Sequence, residues 1–203
     1  MQRPTKLIVT KINTDNIGVI ILAAGYSERF NADKRQARLQ SGETLLDATL
    51  NKIPDSFHQR VLVMHPGDEA FGKRYQTDWI LCIAQYASKG IGHSLAAAMP
   101  LCQSWDAAVI ALADMPYVKS STYEAIQKKL TSHPLVRPVC QNRIGNPVGF
   151  QSKYFKELAK LSGSQGAQNI LKRHEKELHL MECLDWGVIQ DVDTPAALNQ
   201  TKP

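Results

Sequence analysis

Ile17-Gly18-Val19-Ile20-Ile21-Leu22-Ala23 is an unbroken small and aliphatic run, bounded two residues on by Gly25. A strand with one wet face alternates apolar and polar side chains. A run that is apolar at every position suits a strand covered on both faces, as in a parallel sheet. Residues 107–113, Ala-Ala-Val-Ile-Ala-Leu-Ala, repeat the pattern. Between the two runs, strands are expected at residues 60–64 and 79–84. Helical spacing appears at Leu45, Leu46, Thr49 and Leu50, and helices are expected near residues 68–75, behind Pro66-Gly67, and 94–101. Strand and helix in regular alternation point to an α/β protein with a Rossmann-like sheet and right-handed crossovers.

Beyond Pro116, Ser121 and Glu124 have capping-box spacing, and Tyr123, Ile126 and Leu130 share one face of the helix that follows. Strands are then expected at residues 135–140, 147–150, 178–183 and 188–192, with helices at 153–161 and 165–174. Thr194 caps a last helix that has Pro195 at its first position. Residues 1–15 contain Lys-Leu-Ile-Val-Thr-Lys-Ile and form an N-terminal extension, read either as an added edge strand or as a tail. Residues 16–203 are expected to form one domain, since either half of so short a chain would bury little core.

Lys and Arg number 24 against 19 Asp and Glu, and the resulting +5 is spread out instead of forming a basic block. Nucleic acid is therefore not the expected partner, whereas an anionic small substrate suits a few cations focused in a cleft. Cys82, Cys102, Cys140 and Cys183 form no C-x-x-C pair, so reduced structural thiols are expected. No signal-peptide pattern opens the chain, and no apolar stretch approaches the ~18 residues that a membrane span needs. The expected setting is the cytoplasm, with no membrane partner.

Chemistry is most concentrated in Leu22-Ala23-Ala24-Gly25-Tyr26-Ser27-Glu28-Arg29, followed by Lys34. Small residues let backbone approach a ligand, two cations stand within one loop, and ligands of open α/β sheets sit at the carboxyl ends of the strands. The segment reads as a phosphate loop, yet it matches neither the P-loop nor the dinucleotide fingerprint. Asp114 emerges at the end of the second buried run, in Ala113-Asp114-Met115-Pro116. Asp191-Val192-Asp193 offers two carboxylates on one side of an extended segment. Magnesium takes one or two carboxylates together with waters and substrate phosphates, so Asp114 with Asp193 would suffice. Gly90-Ile91-Gly92-His93-Ser94-Leu95 is a glycine turn entering a helix. It suits either close backbone approach to a ligand or a plain turn capped by Ser94.

Taken together, L-A-A-G-x-S-x-R with a lysine after it, G-x-G-x-S-L, D-M-P and D-V-D-T-P resemble the molybdenum cofactor nucleotidyltransferase family and its sugar-nucleotide relatives. The resemblance runs in family order from about Val19 to Leu198. It implies a three-layer Rossmann-like nucleotidyltransferase fold with a mixed, mostly parallel central sheet. It further implies nucleotide binding by Leu22, Ala23, Ala24, Gly25, Ser27, Arg29, Lys34, Gly92, Ser94 and Asp114. Of these, Arg29, Lys34 and Asp114 would be catalytic, and Asp114 and Asp193 would hold Mg2+. Relatives carry G-H-P where this chain has Gly145-Asn146-Pro147, which implies an acceptor-side role for those three residues. The A-A-G of the loop resembles the cytidylyltransferase branch, so CTP is expected over GTP, with a phosphorylated acceptor such as molybdopterin and a molybdoenzyme as a possible partner. Departures are Asn31 for a glycine, Ser164 and Gln168 for an acid and an arginine, and the polar Arg35-Gln36-Ala37-Arg38 for an apolar stretch. They keep two other expectations in view: a sugar-phosphate nucleotidyltransferase, and a binding protein of the same fold that has lost the reaction.

Overall fold

The apolar run becomes β1 (Ile17–Leu22), buried at all six positions. The computed structural model describes residues 12–194, apart from 28, 29 and 31, together with residues 197–198. After β1 come α1 (Leu45–Leu50), β2 (Arg60–Met64), α2 (Glu69–Gly72), β3 (Ile80–Ile83), α3 (Ile91–Ala98) and β4 (Ala107–Leu112). Then follow α4 (Ser120–Lys129), β5 (Leu135–Cys140), β6 (Arg143–Ile144), β7 (Val148–Gln151), α5 (Phe155–Leu158), α6 (Gln168–Arg173) and β8 (Leu178–Glu182). They form a single sheet in the order β3-β2-β1-β4-β7-β5-β6, with β8 beside β5. β1 pairs in parallel with β2 and β4, β2 with β3, and β5 with β8. The two strands that run against the rest are β7 and β6. The expected mixed, mostly parallel sheet is present.

Period-two geometry sends alternate residues of β1 to opposite faces. Val19 and Ile21 join one core with Leu46, Tyr123 and Ile126, from α1 and α4. Ile20 and Leu22 join a second core with Leu95, Phe155 and Ile170, from α3, α5 and α6. Helices therefore cover both faces and make the three layers. A Cβ on Gly18 would lie 2.2 Å from the Trp105 ring, so this strand position is glycine because an indole lies against it.

Three expectations change. Residues 188–192 are not a strand: Trp186–Ile189 is a 3-10 turn, and the chain leaves it extended at Gln190 without joining a strand of the sheet. Val188 and Val192 are fully buried all the same, which is why the segment reads as apolar. Its backbone makes single bonds to two different neighbours, from Asn146 N to Val188 O and from Val192 N to Asp114 O. Second, α4 starts at Ser120 with no capping bond from its own side chains. Its cap is the buried carboxylate of Asp185, which accepts from Lys119 N at 2.8 Å, Thr122 Oγ1 at 2.6 Å and Gly187 N at 3.0 Å. Third, α3 begins at Ile91 behind Gly90, so Ser94 lies inside the helix and does not cap it. Residues 1–11 and Pro195 lie outside the described residues, and with them the N-terminal strand or tail and the last helix start.

Candidate active site

Leu22 is the register partner of Leu112, so the loops leaving β1 and β4 emerge side by side at the carboxyl rim of the sheet. Ala23 N donates to Val63 O and Ala113 N to Leu22 O, extending the ladder one residue past the strands. Beyond that point the amides of Ala24, Gly25, Tyr26 and Ser27 have no hydrogen-bond partner among the described residues. Ser27 has φ +54°, a left-handed conformation uncommon outside glycine, and so turns the loop sharply. Four successive amides with no partner among the described residues are donors suited to an anion.

The chain returns to this rim at Lys34, which opens a 3-10 turn whose cap, Asp33, accepts from Arg35 N. Lys34 Nζ lies 2.6 Å from Asp114 Oδ2, 3.4 Å from Asp193 Oδ1 and 3.5 Å from Val192 O. Asp193 arrives because Val192 packs with Phe30 and Leu45 in a small apolar cluster of its own. Thr49 Oγ1 of α1 donates to Ala113 O at 3.0 Å and steadies the backbone just before Asp114. A cavity of about 400 Å³ opens over these groups. Leu22, Ala23, Ala24, Gly25, Ser27, Lys34, Ser94, Asp114 and Asp193 all line it. Arg29 lies outside the described residues.

Burial works against the Lys34 ammonium, but the carboxylates of Asp114 and Asp193 outweigh it and hold its pKa above the ordinary lysine value. For Asp114 the balance tips the other way: burial raises its carboxyl above the usual range and exceeds the pull of Lys34. Its Oδ1 is buried and accepts no hydrogen bond among the described residues. Such an oxygen is costly unless a cation or donor meets it. No group of three or more His, Cys, Asp or Glu side chains is gathered among the described residues. The donor set therefore fits a cation that takes one or two carboxylates and completes its shell with water and phosphate oxygens.

The glycine turn is used differently from the sequence expectation. Gly92 N donates to Gly163 O at 2.9 Å, so this amide is not open to a ligand, and Gly92 does not line the cavity; Gly90 and Ile91 do. A Cβ on Gly90 would lie 2.4 Å from Gly163 O, and one on Gly92 2.6 Å from Ser162 O. The two glycines admit the 162–163 backbone against the start of α3. This locks the glycine turn to the 162–163 segment.

Gly145, Asn146 and Pro147 precede β7, whose Val148 pairs with Ile110 of β4, so they lie toward the same rim as Asp114. They do not line the cavity. Gly145 O accepts from Arg137 Nε at 2.9 Å, and Asn146 N donates to Val188 O at 2.8 Å. Sequence reasoning did not assign Arg35, which borders the cavity, or its partners Asp68 and His65. The available signal was the polar character of residues 35–38.

The MobA-like NTP transferase domain description fits residues 19–178. Purine catabolism protein PucB of Bacillus subtilis is 30% identical over 188 residues, covering 87% of this chain and 91% of that protein. Among solved structures, the homologue of Rv0371c from Mycobacterium sp. strain JC1 superimposes with a TM-score of 0.77 at 24% identity, covering 90% of this chain and 93% of that one. Rv0371c of Mycobacterium tuberculosis in complex with manganese gives 0.69 at 22% identity, covering 89% and 95%. The likeness in sequence thus takes in both strands that frame the cavity, the loop between β1 and α1, and Asp114, and the chain belongs to the MobA-like NTP transferase domain family of nucleotidyltransferases.

Proposed function

We propose that this protein transfers a nucleotidyl group from a nucleoside triphosphate, CTP in preference to GTP, to a phosphorylated acceptor of the molybdopterin class in the cytoplasm. The observation that carries the reading is the meeting of Lys34, Asp114 and Asp193 beside the open amides of residues 24–27. An oxygen of the acceptor phosphate attacks the α-phosphorus; the new P–O bond forms as the bond to the β-phosphate breaks, and pyrophosphate leaves with that electron pair. A phosphate nucleophile is already anionic, so no general base is needed. Residues 24–27 cradle the triphosphate, and Lys34 offsets the charge that gathers on the departing pyrophosphate, the kind of contribution worth on the order of 100- to 1,000-fold. By the family resemblance Arg29 shares that task. Asp114 and Asp193 would hold a magnesium ion, which would supply positive charge against the triphosphate. Holding attacking and leaving groups in line supplies much of the remaining acceleration. Ala24, buried at the cavity edge, adds bulk where a glycine would leave room for a larger base, which supports CTP.

The test is pyrophosphate release with CTP, GTP, ATP and UTP against molybdopterin and sugar-phosphate acceptors. Release with CTP and molybdopterin is expected. Turnover with a sugar phosphate alone would reassign the acceptor, and tight acceptor binding without turnover would identify a binding protein. The second outcome draws on one observation: residues 145–147 stand away from the cavity.

A further inference from the structure

We propose that Arg35 is a positioning residue for the nucleotide loop and not a phosphate ligand, gripping the loop jointly with Asp68 and His65. The inference rests on the nucleotidyltransferase reading, since the ligand so positioned is the triphosphate.

Arg35 follows Lys34 directly and borders the cavity, so charge alone would cast it as a second phosphate cation. Its geometry assigns it another task. A guanidinium has five N–H donors. Nε reaches Asp33 Oδ1 at 2.8 Å, and Nη1 reaches Ala23 O at 2.9 Å and Asp68 Oδ2 at 2.5 Å. Nη2 reaches Asp33 Oδ2 at 2.9 Å and Asp68 Oδ1 at 2.9 Å, with His65 Nε2 at 3.1 Å. Every donor is engaged inside the protein, and the side chain is buried. Two carboxylates flank one cation, so the group presents no net positive field to a phosphate.

What Arg35 holds is the loop. Ala23 O accepts from Arg35 while Ala23 N donates to Val63 O, which pins the residue immediately before the open amides. The far side is held by the same acid: Asp68 Oδ2 accepts from His65 N at 3.1 Å, and the His65 ring stacks on Tyr26, with centroids 4.8 Å apart and planes at 13°. Ala23 and Tyr26 are thus fixed to one anchor, and Ala24 and Gly25 lie between them. A loop held this way loses less freedom when a triphosphate binds.

Removing Arg35 and Asp68 together leaves Asp33, which is partly exposed and keeps the backbone N–H of residue 35 and Gln36 Nε2 as donors. The paired change therefore separates positioning from stability, because replacing a buried ion pair with apolar groups is often neutral for folding. The experiment is calorimetric titration of wild type and of the Arg35→Met/Asp68→Leu variant with CTP, GTP, ATP and UTP in the presence of Mg2+, at two ionic strengths, with thermal melts alongside. The expected result is a melting point near wild type, nucleotide binding weaker by about tenfold, and an unchanged salt dependence, as befits a lost geometry and not a lost phosphate contact. Tyr26→Ser, which removes an exposed ring and leaves the core intact, should weaken binding in the same direction by about threefold. Wild-type affinity in a folded double variant overturns the proposal, as does a clearly flattened salt dependence, which would make Arg35 a ligand. Should the double variant fail to fold, unchanged binding by Tyr26→Ser overturns the two-ended grip. Absence of nucleotide binding by wild type would sink the nucleotidyltransferase reading, and this inference with it.

Discussion

Lys34 and Asp114 are 80 residues apart in the chain, and Nζ of the one donates to Oδ2 of the other at 2.6 Å. The contact ties the loop after β1 to the end of β4, and it leaves Asp114 Oδ1 buried with no donor among the described residues. Substituting Asp114 by Ala is expected to abolish pyrophosphate release and to remove tight Mn2+ binding followed by electron paramagnetic resonance, with an unchanged circular dichroism spectrum. Lys34→Gln should reduce turnover on the order of 100- to 1,000-fold. Normal turnover in either variant would dissolve the proposed centre.

The two late carboxylates are expected to differ. Asp193 Oδ1 contacts Lys34 at 3.4 Å and lines the cavity, whereas Asp191 does neither. Asp193→Ala should weaken Mn2+ binding at least tenfold while Asp191→Ala stays within about threefold, ratios of the size expected for a coordinating and a non-coordinating acid. The reverse order would move the metal to Asp191.

A methyl group at residue 92 has nowhere to go, because Ser162 O would lie 2.6 Å from it and Gly163 O 3.0 Å. Gly92→Ala should cost about 1–3 kcal/mol in urea unfolding, the usual cost of overpacking. Hydrogen exchange should show faster exchange at Gly92 N, whose bond to Gly163 O is broken. A variant as stable as wild type, with that amide still protected, would mean that the 162–163 segment adapts freely.

Asp185 caps α4 across 66 residues of chain and satisfies three donors in a buried place. Asp185→Ala should cost about 3 kcal/mol, since it strands buried donors and removes a charged cap. Thr122→Val, which deletes one of the three bonds, should cost about 1 kcal/mol. Equal losses in chemical denaturation would contradict the three-donor arrangement.

His179 stacks on His133 with ring centroids 3.9 Å apart. Burial, the neighbouring His133 and Lys129 all lower its pKa below the ordinary value of 6.5. The unfolded chain therefore takes up the proton first as pH falls. The contribution of His179 to stability is complete above pH 6.5 and is lost on acidification below it. His179→Gln should flatten the acid side of a melting-temperature profile in that range. An unaltered profile would show that the stack does not titrate in this way.

The strands that build the site were legible because β1 and β4 are apolar at every position, a signature that needs no partner to be read. The meeting of the loop and Asp114 at one rim was legible as well, since each follows such a run. Asp193 follows no such run and was read from its spacing with Asp191 on an extended segment. Residues 188–192 misled because Val188 and Val192 are buried by packing and not by a ladder, and apolar spacing alone does not separate the two. Asp185 and the group around Arg35 were illegible for a related reason. Their partners lie 66 and 33 residues away, and a long-range ion pair or cap leaves no local period. The polar stretch at 35–38 announced a difference without saying what it touched.

Asp193 reaches Lys34 from the far side of the sheet in sequence, after every strand has been laid down. During synthesis, a nascent chain that has emerged only through β7 carries Lys34 and Asp114 but not Asp193. The second carboxylate of the proposed metal site therefore joins the first only after the last strand, β8, has been made.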